Sequence, residues 1–514
     1  MQPIIGLDFG NFNSFTCYIS DFDIGTRMGG EVYDLLPPKL QDGIPSVYYY
    51  SKRAGVLLGD KAITGRAVPF QNRLRYLKRH LGENIKLDDR NISYDDAIVE
   101  LIQYCVRLAN EQMQQRWLVT TNIISLSYPA TYNSAQRQRL IELVEKATLK
   151  DGQHLKVFGT ITEPAAAALD YLAEFAKSDK DTTVLTYDLG GGTFDLSIVS
   201  TYPKGKKDSD GHVYYYDVIN NRGISNLGGA EFDEIMFNLL KSKINRKLSN
   251  NTEAFLKEEA EKIKVELSSS DDGFTQIYVE DDYIDINITR DEFEKASHDL
   301  LMKTVNATKN ILNEHPNQKP EIILLTGGAS QMPMVMRELE KALPQYKGKI
   351  IFFRPSRAIA YGAARFGTNE KISDVTPNKA RNVVQRVNYN LGVRYYKDAN
   401  DGKGYITTFI PAGTKIPFTS KCISSYKLAE GTYSTFEVYE ANKTNPDPNE
   451  PDRDFTKIMS VTIEHGRKVP AGHPHESRLV VDKKGVLTIE ARDTSVANLP
   501  FKKAHVQLQN LSTK

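Results

Sequence analysis

Apolar and polar residues are distributed differently in the two parts of this 514-residue chain. Up to residue 367, short apolar runs alternate with long stretches of helical periodicity, for example at 94–115 and 135–149, which indicates an α/β architecture with mixed sheets. After residue 388, short alternating runs are separated by turns, which is typical of a β-sandwich. The predicted strands of this second part are 405–410, 435–439, 460–463, 478–481, 486–491 and 504–508.

The segment between the two parts is polar over 368–382, contains Pro377 and leads into the short apolar string 383–387. Polar stretches that contain proline commonly connect domains. The predicted units are an α/β domain at 1–367, a linker at 368–388 and a sandwich domain at 389–514.

Two segments of the second part are predicted to lie outside its strands. Residues 442–454 are so rich in Pro, Asn and Asp that we expect a mobile surface loop there. Only six residues follow Leu508, which leaves no room for a C-terminal helical domain.

One pattern occurs twice, at 4–14 and at 184–195: an apolar run is followed by Asp and then by Gly. The apolar run predicts a buried strand, and the glycines allow a tight turn whose N–H groups point at phosphate oxygens. Asp8 and Asp188 end these strands, and Mg²⁺ prefers such oxygen ligands and shares its shell with substrate phosphate. Either segment alone is a weak signal, but the pair predicts a duplicated, two-lobed fold with a phosphate-binding cleft between the repeats.

A third glycine turn lies in 322–330, where an apolar strand runs into Gly327 and Gly328 before a helical stretch that starts at Pro333. Backbone without side chains lets an adenosine lie flat against it. By itself, such a pair of glycines is more often a simple turn between a strand and a helix.

Composition limits the classes of protein that fit. With 514 residues and 40% hydrophobic content, two or three globular domains are expected. The 66 basic and 65 acidic residues nearly cancel, which gives no broad field for nucleic acid or for a membrane surface. Three widely spaced cysteines fit neither a disulfide framework nor a zinc site, and no run of 18 apolar residues and no basic leader is present. We therefore expect a cytoplasmic protein without nucleic-acid or membrane partners.

The order phosphate turn, phosphate turn, adenosine turn resembles the superfamily of actin, sugar kinases and heat-shock chaperone ATPases. Within it, the chain is similar over nearly its whole length to the seventy-kilodalton heat-shock chaperones, and it resembles a lidless member. Three further segments carry this resemblance, namely 71–82 with a lysine, 128–138 with a proline switch and 162–168 with Thr-Glu-Pro followed by alanines. The resemblance implies an actin-like ATPase domain at 1–367 and a peptide-binding sandwich at 389–514.

The resemblance also implies roles for individual residues in binding and hydrolysing Mg-ATP. Lys78 is the catalytic lysine, Glu163 helps to order the attacking water with Asp195, and Thr193 adds a hydroxyl to the second phosphate turn. Mg²⁺ is held by Asp8 and Asp188. The nucleotide contacts are Gly10, Asn11, Phe12, Gly190, Gly191, Gly192, Gly228, Gly229, Glu261, Lys264, Ser268, Gly327, Gly328 and Ala329. Pro129 and Arg137 relay the nucleotide state, and the proposed peptide groove contains Val393, Tyr395, Tyr396 and Phe436.

Each of these assignments has a structural alternative. Lys78 lies in a basic run that could be a solvated helix face, and Glu163 could merely cap the alanine-rich helix. The spacing of Glu261, Lys264 and Ser268 fits a solvated helix face equally well. The four groove residues could be ordinary core or surface residues of a sandwich.

The chain departs from the family pattern at several places. Asn11 and Phe12 replace paired threonines, so we expect slow or altered hydrolysis. Gln331 stands where the family commonly has an arginine that stacks on the base, and the facing helix offers Val265, so weaker base affinity is expected. Residues 354–356 lack the usual carboxylate, and the string 383–387 lacks the run of leucines and carries the opposite charge. Weaker coupling between the domains is expected from this string, and fast peptide exchange is expected from the missing helical lid.

The leading hypothesis is an ATP-dependent chaperone-like protein that hydrolyses ATP to ADP and phosphate and thereby controls its binding of unfolded or extended apolar polypeptide. A co-chaperone and a nucleotide-exchange factor are expected partners. The alternative is a nucleotide-sensing interaction module with little or no turnover. A small-molecule kinase is the third hypothesis.

Overall fold

The computed structural model describes residues 3–20, 28, 30–64, 70–209, 211–280, 282–375, 380–396, 402–422, 431–470, 474–495 and 499–512. In this part of the chain, two α/β lobes are followed by two packed β-sheets. The predicted fold class, an actin-like two-lobed α/β unit followed by a β-sandwich, is confirmed. Among the described residues, no helix combines the length and the apolar character needed to cross a bilayer.

The first lobe contains the elements up to Thr162. Its strands are β1 (Ile5–Asp8), β2 (Asn13–Ser20), β3 (Glu31–Asp34), β4 (Ile44–Pro45), β5 (Tyr48–Ser51), β6 (Gly55–Leu58), β7 (Arg73–Leu74), β8 (Asn84–Leu87), β9 (Arg90–Ser93), β10 (Ile123–Tyr128) and β11 (Lys156–Thr162). Its helices are α1 (Asp60–Thr64), α2 (Tyr94–Trp117) and α3 (Ser134–Lys146), with 3₁₀ turns at Pro38–Leu40, Phe70–Asn72 and Leu77–His80.

The second lobe follows, with α4 and α9 at its junction with the first. Its strands are β12 (Thr182–Leu189), β13 (Thr193–Lys207), β14 (Val213–Ser225), β15 (Asp272–Val279), β16 (Asp282–Thr289), β17 (Ile322–Thr326) and β18 (Ile350–Phe352). The helices are α4 (Glu163–Phe175), α5 (Gly229–Ser242), α6 (Asn250–Glu266), α7 (Arg290–Glu314), α8 (Pro333–Ala342) and α9 (Ala358–Val375), with 3₁₀ turns at Gly328–Gln331 and Pro344–Tyr346.

The two lobes repeat one sheet. In the described residues the first sheet has the order β11-β10-β1-β2-β3, and the second contains β18-β17-β12-β13-β14. In both, the first strand of the hairpin runs parallel to one neighbour and antiparallel to the next, with Asp8 opposite Phe15 and Asp188 opposite Asp195. The duplication predicted from the two Asp-Gly segments is therefore present in the topology.

Helices α4 and α9 join the lobes. Helix α9 packs on β1 and β2, whereas α4 packs on β12 and β13. The two helices approach so closely that a methyl group added at Gly362 would lie 1.8 Å from the Ala166 carbonyl oxygen. This contact leaves no space for a side chain and holds the two hairpins on either side of one cleft.

The two long helices predicted from periodicity are found with shifted ends. Helix α2 begins where Ser93 accepts a hydrogen bond from the Asp96 N–H, and it continues to Trp117. Helix α3 begins with a capping box between Asn133 and Gln136 and ends at Lys146, before the predicted end. Local capping residues explain the observed starts.

The remaining strands follow the two lobes, and most of them form the sandwich. They are β19 (Val383–Arg386), β20 (Leu391–Tyr395), β21 (Tyr405–Ile410), β22 (Lys415–Ile416), β23 (Phe418–Thr419), β24 (Gly431–Ala441), β25 (Phe455–Val469), β26 (His475–Val481), β27 (Leu487–Asp493), β28 (Lys502–Lys503) and β29 (His505–Leu508), with the short helix α10 (Pro451–Asp454). In the described residues, one sheet has the order β21-β20-β24-β25-β29 and the other β23-β26-β27-β28. Each predicted strand of this region falls on an observed one, and several are longer than predicted.

Two segments differ from their predictions. The predicted linker begins inside α9, because this helix runs on to Val375 and buries Asn369 and Ile372. The predicted loop 442–454 contains α10, and the buried Asp454 carboxylate pairs there with Lys443. Burial in one case and an ion pair in the other give these polar segments a defined structure.

Strand β19 connects the nucleotide lobes to the sandwich. It pairs in parallel with β14, where Val383 lies opposite Tyr216, and antiparallel with β22, where Gln385 lies opposite Ile416. The last part of the segment predicted as a linker, Val383–Arg386, is thus a strand of the second-lobe sheet. That sheet continues without interruption to the first residues of the sandwich.

Candidate functional site

A cavity of about 490 Å³ lies between the lobes, bounded by the two Asp-Gly hairpins and by the turn after β17. Of the predicted catalytic, metal and nucleotide residues, those that line it are Asp8, Gly10, Asn11, Phe12, Lys78, Glu163, Asp188, Gly190, Gly191, Gly192, Thr193, Gly229, Glu261, Lys264, Ser268, Gly327, Gly328 and Ala329. Gly228 and Asp195 lie just behind this wall. The cavity brings together residues from segments that are far apart in the sequence.

The first hairpin, between β1 and β2, has a buried carboxylate and two larger side chains at its turn. Asp8 is buried, and the Ser127 hydroxyl lies 3.5 Å from its Oδ1. Burial, and after it the nearby Glu163 carboxylate, raises the pKa of Asp8 to about 7. Asn11 and Phe12 follow at the turn, and Phe12 is partly exposed in the cavity wall.

The second hairpin, between β12 and β13, has no side chains at its turn. The Gly190 N–H donates to the Thr193 carbonyl, which closes the turn. The N–H of Gly229 at the start of α5 donates to the Gly190 carbonyl, so the turn is held against a helix N-terminus. Gly228 packs so closely that an added methyl group would lie 2.7 Å from the Gly192 nitrogen. Backbone N–H groups and a helix N-terminus together favour an anion at this place.

Asp8 and Asp188 fit a metal that shares its ligands with a bound molecule. Asp188 Oδ1 is buried and makes no hydrogen bond within the described part of the chain. Burial raises the pKa of Asp188 well above its usual range, and neighbouring Glu163 and Asp195 raise it further. Among the described residues no group of three His, Cys, Asp or Glu side chains is placed to hold a metal ion. Two carboxylates suit Mg²⁺, which completes its shell with water and phosphate oxygens.

Lys78 is buried at the cavity and is not part of a solvated helix face. Only 2% of the residue is exposed, and its Nζ donates to Glu163 Oε1 at 2.6 Å. The 3₁₀ turn Leu77–His80 presents it, and Tyr132 donates its hydroxyl to the Lys78 carbonyl at 2.9 Å. Glu163 is also the first residue of α4, but this helix start has no side-chain capping hydrogen bond, and the Glu163 carboxylate pairs with Lys78.

Asp195 lies at the base of the second hairpin. Its Oδ1 accepts the Thr131 N–H at 3.0 Å, and its Oδ2 has no hydrogen-bond partner among the described residues. Burial raises its pKa to about 7, with the Glu163 carboxylate as the next cause. Thr131 belongs to the segment that contains Pro129, so a carboxylate of the cleft is joined directly to the predicted relay segment.

The far end of the cavity contains the predicted ribose and adenosine residues. Lys264 pairs with Asp233 at 2.5 Å, and Glu261 accepts a hydrogen bond from Arg75 at 2.7 Å. Gly327 has φ +81°, and a methyl group there would lie 2.4 Å from the Leu189 carbonyl oxygen, so glycine is required. Gln331 also lines the cavity.

Val265 and Arg354 are two positions at which the chain departs from the family pattern, and they differ in their relation to the cavity. Val265 borders the cavity but is 62% exposed, whereas Arg354 is held outside the cavity wall. Arg354 pairs with Asp170 at 2.9 Å and with Glu174 at 2.7 Å on α4. Arg354 therefore stabilises the junction between the lobes.

Cross-lobe ion pairs were missed by the sequence reasoning. Arg79 donates to Glu231 at 2.7 Å and also to the Gly192 carbonyl, so it reaches from the Lys78 turn to the second hairpin. Arg73 pairs with Glu258, and Arg75 with Glu261, both on α6. The clustering of arginines around Lys78 was the available signal, because their acidic partners lie more than 150 residues away in the sequence.

The predicted relay residues lie where the sandwich meets the first lobe. Arg137 donates to the Gly485 carbonyl in the turn between β26 and β27, and its guanidinium lies 5.5 Å from the Tyr128 ring centroid. The buried Glu440 carboxylate of the sandwich accepts the N–H of Ser134 at 2.9 Å, at the start of α3. Pro129 precedes this contact and accepts the Tyr132 N–H at its carbonyl.

The four proposed groove residues do not share one open surface. Val393 is 3% exposed and belongs to the sandwich core, so the proposal needs correcting at this residue, because a side chain packed there is closed to a ligand. Tyr395 and Phe436 are partly buried against the same core. Tyr396 is exposed, and the Arg394 guanidinium lies 5.4 Å from its ring centroid. Val393 and Tyr395 lie two residues apart on β20 and therefore share its core face, whereas Tyr396 follows the end of the strand.

Two comparisons with known proteins agree with each other. The Hsp70 protein family model matches residues 91–512 of the chain. The chaperone protein DnaK of Mycoplasma mycoides subsp. mycoides is 29% identical over 522 residues, which cover 96% of this chain and 78% of that protein.

Proposed function

The chain belongs to the Hsp70 family, and from this premise we propose that it hydrolyses Mg-ATP in the cleft and thereby controls the binding of extended apolar peptide by its sandwich. Membership of the family establishes an ATP-dependent chaperone function and nucleotide binding. It does not favour the alternative of a nucleotide-sensing module without turnover.

The observation that carries the proposal is the buried pair of Lys78 and Glu163 in the wall of the cleft. An ammonium group is costly to bury unless it is paired, and Glu163 is its ion-pair partner, with the Asp8 and Asp188 carboxyl groups nearby. A γ-phosphate that enters between the hairpins gives this ammonium a further anionic partner. A merely structural ion pair would not need to face the phosphate turns.

Each residue then has one task in phosphoryl transfer. Asp8 and Asp188 would hold Mg²⁺, which when bound supplies positive charge against the phosphate oxygens. Lys78 neutralises charge on the transferred phosphoryl group, and Thr193 donates a hydroxyl at the second turn. Glu163 and Asp195 accept hydrogen bonds from the attacking water and thereby orient it.

Glu261, Lys264 and Ser268 are proposed to bind the ribose, and Gly327, Gly328 and Ala329 to face the adenosine. The ion pairs of Glu261 with Arg75 and of Lys264 with Asp233 fix these side chains before nucleotide arrives. Side chains that are already held lose less conformational entropy on binding. The first hairpin's Asn11 and Phe12 complete the phosphate side.

We propose that the sandwich senses the nucleotide through the contacts at Pro129 and Arg137 and through β19. Gln385 donates to the Thr160 carbonyl at 3.1 Å, and Arg386 pairs with Asp217 on β14. The polar residues that interrupt the apolar string thus have specific partners, Thr160 in the first-lobe sheet and Asp217 in the second-lobe sheet. We keep the proposal of a connection at 368–388, whose first residues continue α9 to Val375.

Extended polypeptide remains the proposed ligand of the sandwich, with Tyr396 as the exposed member of the predicted set. Co-chaperone and exchange-factor partners belong to the same proposal. A cytoplasmic location is also proposed, because all three cysteines are free thiols and two of them are buried.

Single-turnover hydrolysis of radiolabelled Mg-ATP tests the proposal. Lys78→Ala is expected to reduce the rate by about 100-fold or more, since a preorganised charge at the transferred group is lost. Lys86→Ala, an exposed lysine of the same lobe, is the matched control and should keep the wild-type rate.

Calorimetry first establishes that all three proteins bind the nucleotide. Tight binding by the wild type with no turnover would refute hydrolysis and revive the nucleotide-sensing module. Turnover that survives in Lys78→Ala would refute the role of this lysine while leaving an ATPase in place.

A further inference from the structure

The last described residues of the chain leave the sandwich and lie against the first lobe. Strand β29 ends at Leu508, and Gln509 still donates to the Ile458 carbonyl of β25. Beyond it, the Leu511 carbonyl accepts a hydrogen bond from the Gln136 side chain at 3.0 Å, on α3. We call residues 510–512 the tail segment.

The tail segment contacts the very turn that presents Lys78. The Ser512 hydroxyl donates to the Arg79 carbonyl at 3.1 Å and also contacts the Glu83 carboxylate. The Leu511 side chain packs over Gly82, where an added methyl group would lie 3.2 Å from its Cδ1. The turn thus receives an apolar and a polar contact from a segment more than 400 residues away.

Leu511 is shared by two hydrophobic cores. It packs against the first-lobe core, which includes Leu77 and Leu81 on either side of Lys78, and against the sandwich core. A short 3₁₀ turn has poor internal hydrogen bonds and is held in place mainly by its surroundings. Here those surroundings include a side chain that belongs to the sandwich.

The same turn is tied to the second hairpin from its other side. The Arg79 side chain reaches the Gly192 carbonyl and Glu231, while the Arg79 carbonyl receives Ser512. Lys78, next to it, is held by Tyr132 at its carbonyl and by Glu163 at its Nζ. The tail segment therefore contacts Arg79, which is the residue next to Lys78 in the sequence.

We propose that Leu511 and Ser512 are positioning residues for ATP hydrolysis: they fix the Leu77–His80 turn so that Lys78 and Arg79 face the phosphate turns. This inference rests on the proposed role of Lys78. It assigns to the tail segment an effect on the rate of the chemical step that is separate from holding the domains together.

The test compares full-length variants that change one tail contact each. Leu511→Ala is expected to lower kcat by about tenfold with KM within twofold of wild type, because a buried contact of the turn is lost. Ser512→Ala is expected to lower kcat by about threefold, the size of one hydrogen bond. Leu511→Met keeps the apolar contact and should restore kcat to within about twofold of wild type.

Leu499→Ala is the matched control, since this leucine belongs to the same sandwich region and is exposed. Hydrogen exchange of Val383–Arg386 in the same proteins reports whether β19 stays paired with the second lobe. The expected result is reduced kcat with unchanged protection of β19. Unchanged kcat in Leu511→Ala overturns the inference, and so does a fall in kcat that only parallels lost protection.

The wild-type rate separates this inference from its premise. If the wild type binds Mg-ATP but does not hydrolyse it, the proposed function fails, and the role of the tail segment falls with it. If the wild type turns over and Lys78→Ala does not, while all tail variants match wild type, only the inference is overturned.

Discussion

The two hairpins of the cleft share their strands and their carboxylates but differ at their turns. Asp8 and Asp188 sit at the same register position of equivalent sheets. After them, the first hairpin continues into Asn11 and Phe12, whereas the second has glycine at 190–192. The two hairpins therefore share the position of the aspartate and differ in the size of the side chains at the turn.

The divergence is complementary across the cleft. A methyl group added at Gly192 would lie 2.4 Å from Asn11 Nδ2, and one added at Gly191 would lie 3.1 Å from the Phe12 Cβ. The space left empty by one turn is thus occupied by the other. A bulky first turn is tolerated because the second has no side chains, so the two turns form one structural unit.

The largest effect is expected from removing the feature that the hairpins share. Asp8→Asn and Asp188→Asn should each lower the Mg²⁺-dependent turnover by about 100-fold, as expected for loss of a metal-holding carboxylate. Titration of turnover with Mg²⁺ measures this, with the exposed Asp181→Asn as control. A variant that kept the wild-type Mg²⁺ dependence would show that one hairpin alone holds the ion.

Breaking the complementarity should have a smaller effect. Gly192→Ala forces its methyl group onto Asn11 and should weaken nucleotide binding by about tenfold, which corresponds to a strain of about 1.4 kcal/mol. Calorimetric titration with Mg-ADP measures the affinity.

The second-site variant sharpens this test. Gly192→Ala with Asn11→Ala removes the clash and should recover most of the affinity, in contrast to additive losses. Additive losses in the double variant would mean that the two turns do not act as a unit.

The smallest effect is expected at the Phe12 ring. The Arg75 guanidinium lies 5.9 Å from the ring centroid and also pairs with Glu261, so Phe12 helps to close the mouth of the cleft. Phe12→Ala should speed nucleotide release by about threefold, since an exposed cation–π contact contributes about 0.5–1 kcal/mol. Stopped-flow release of a fluorescent ADP analogue measures it. In an Arg75→Gln background the same substitution should have no further effect, and a persisting acceleration would contradict this account.

Features encoded by neighbouring residues were predictable from the sequence. The hairpins follow from apolar runs that end in Asp and Gly, and α2 follows from periodicity with Ser93 as its cap. The clustering of Lys78, Glu163 and the two aspartates could be expected only through resemblance to a family. The structure supplies their burial and their pairing.

Features that depend on distant contacts were not predictable. The acidic partners of Arg73, Arg75 and Arg79 lie on α5 and α6, and the partner of Leu511 is a turn near residue 80. No local pattern encodes such pairings. The polar residues of 383–387 indicated weak coupling when read alone, yet Arg386 has a specific partner in Asp217.

The pairing of β19 with β14 also bears on the solubility of the undocked chain. While β19 is in place, the backbone of β14 near Tyr216 and Asp217 is covered. When the sandwich moves away and takes β19 with it, β14 becomes an open edge strand with unpaired N–H and C=O groups. Such an edge is a template for pairing with another chain. The connecting strand therefore covers this edge, and a state with β19 released would be more open to self-association than the docked one.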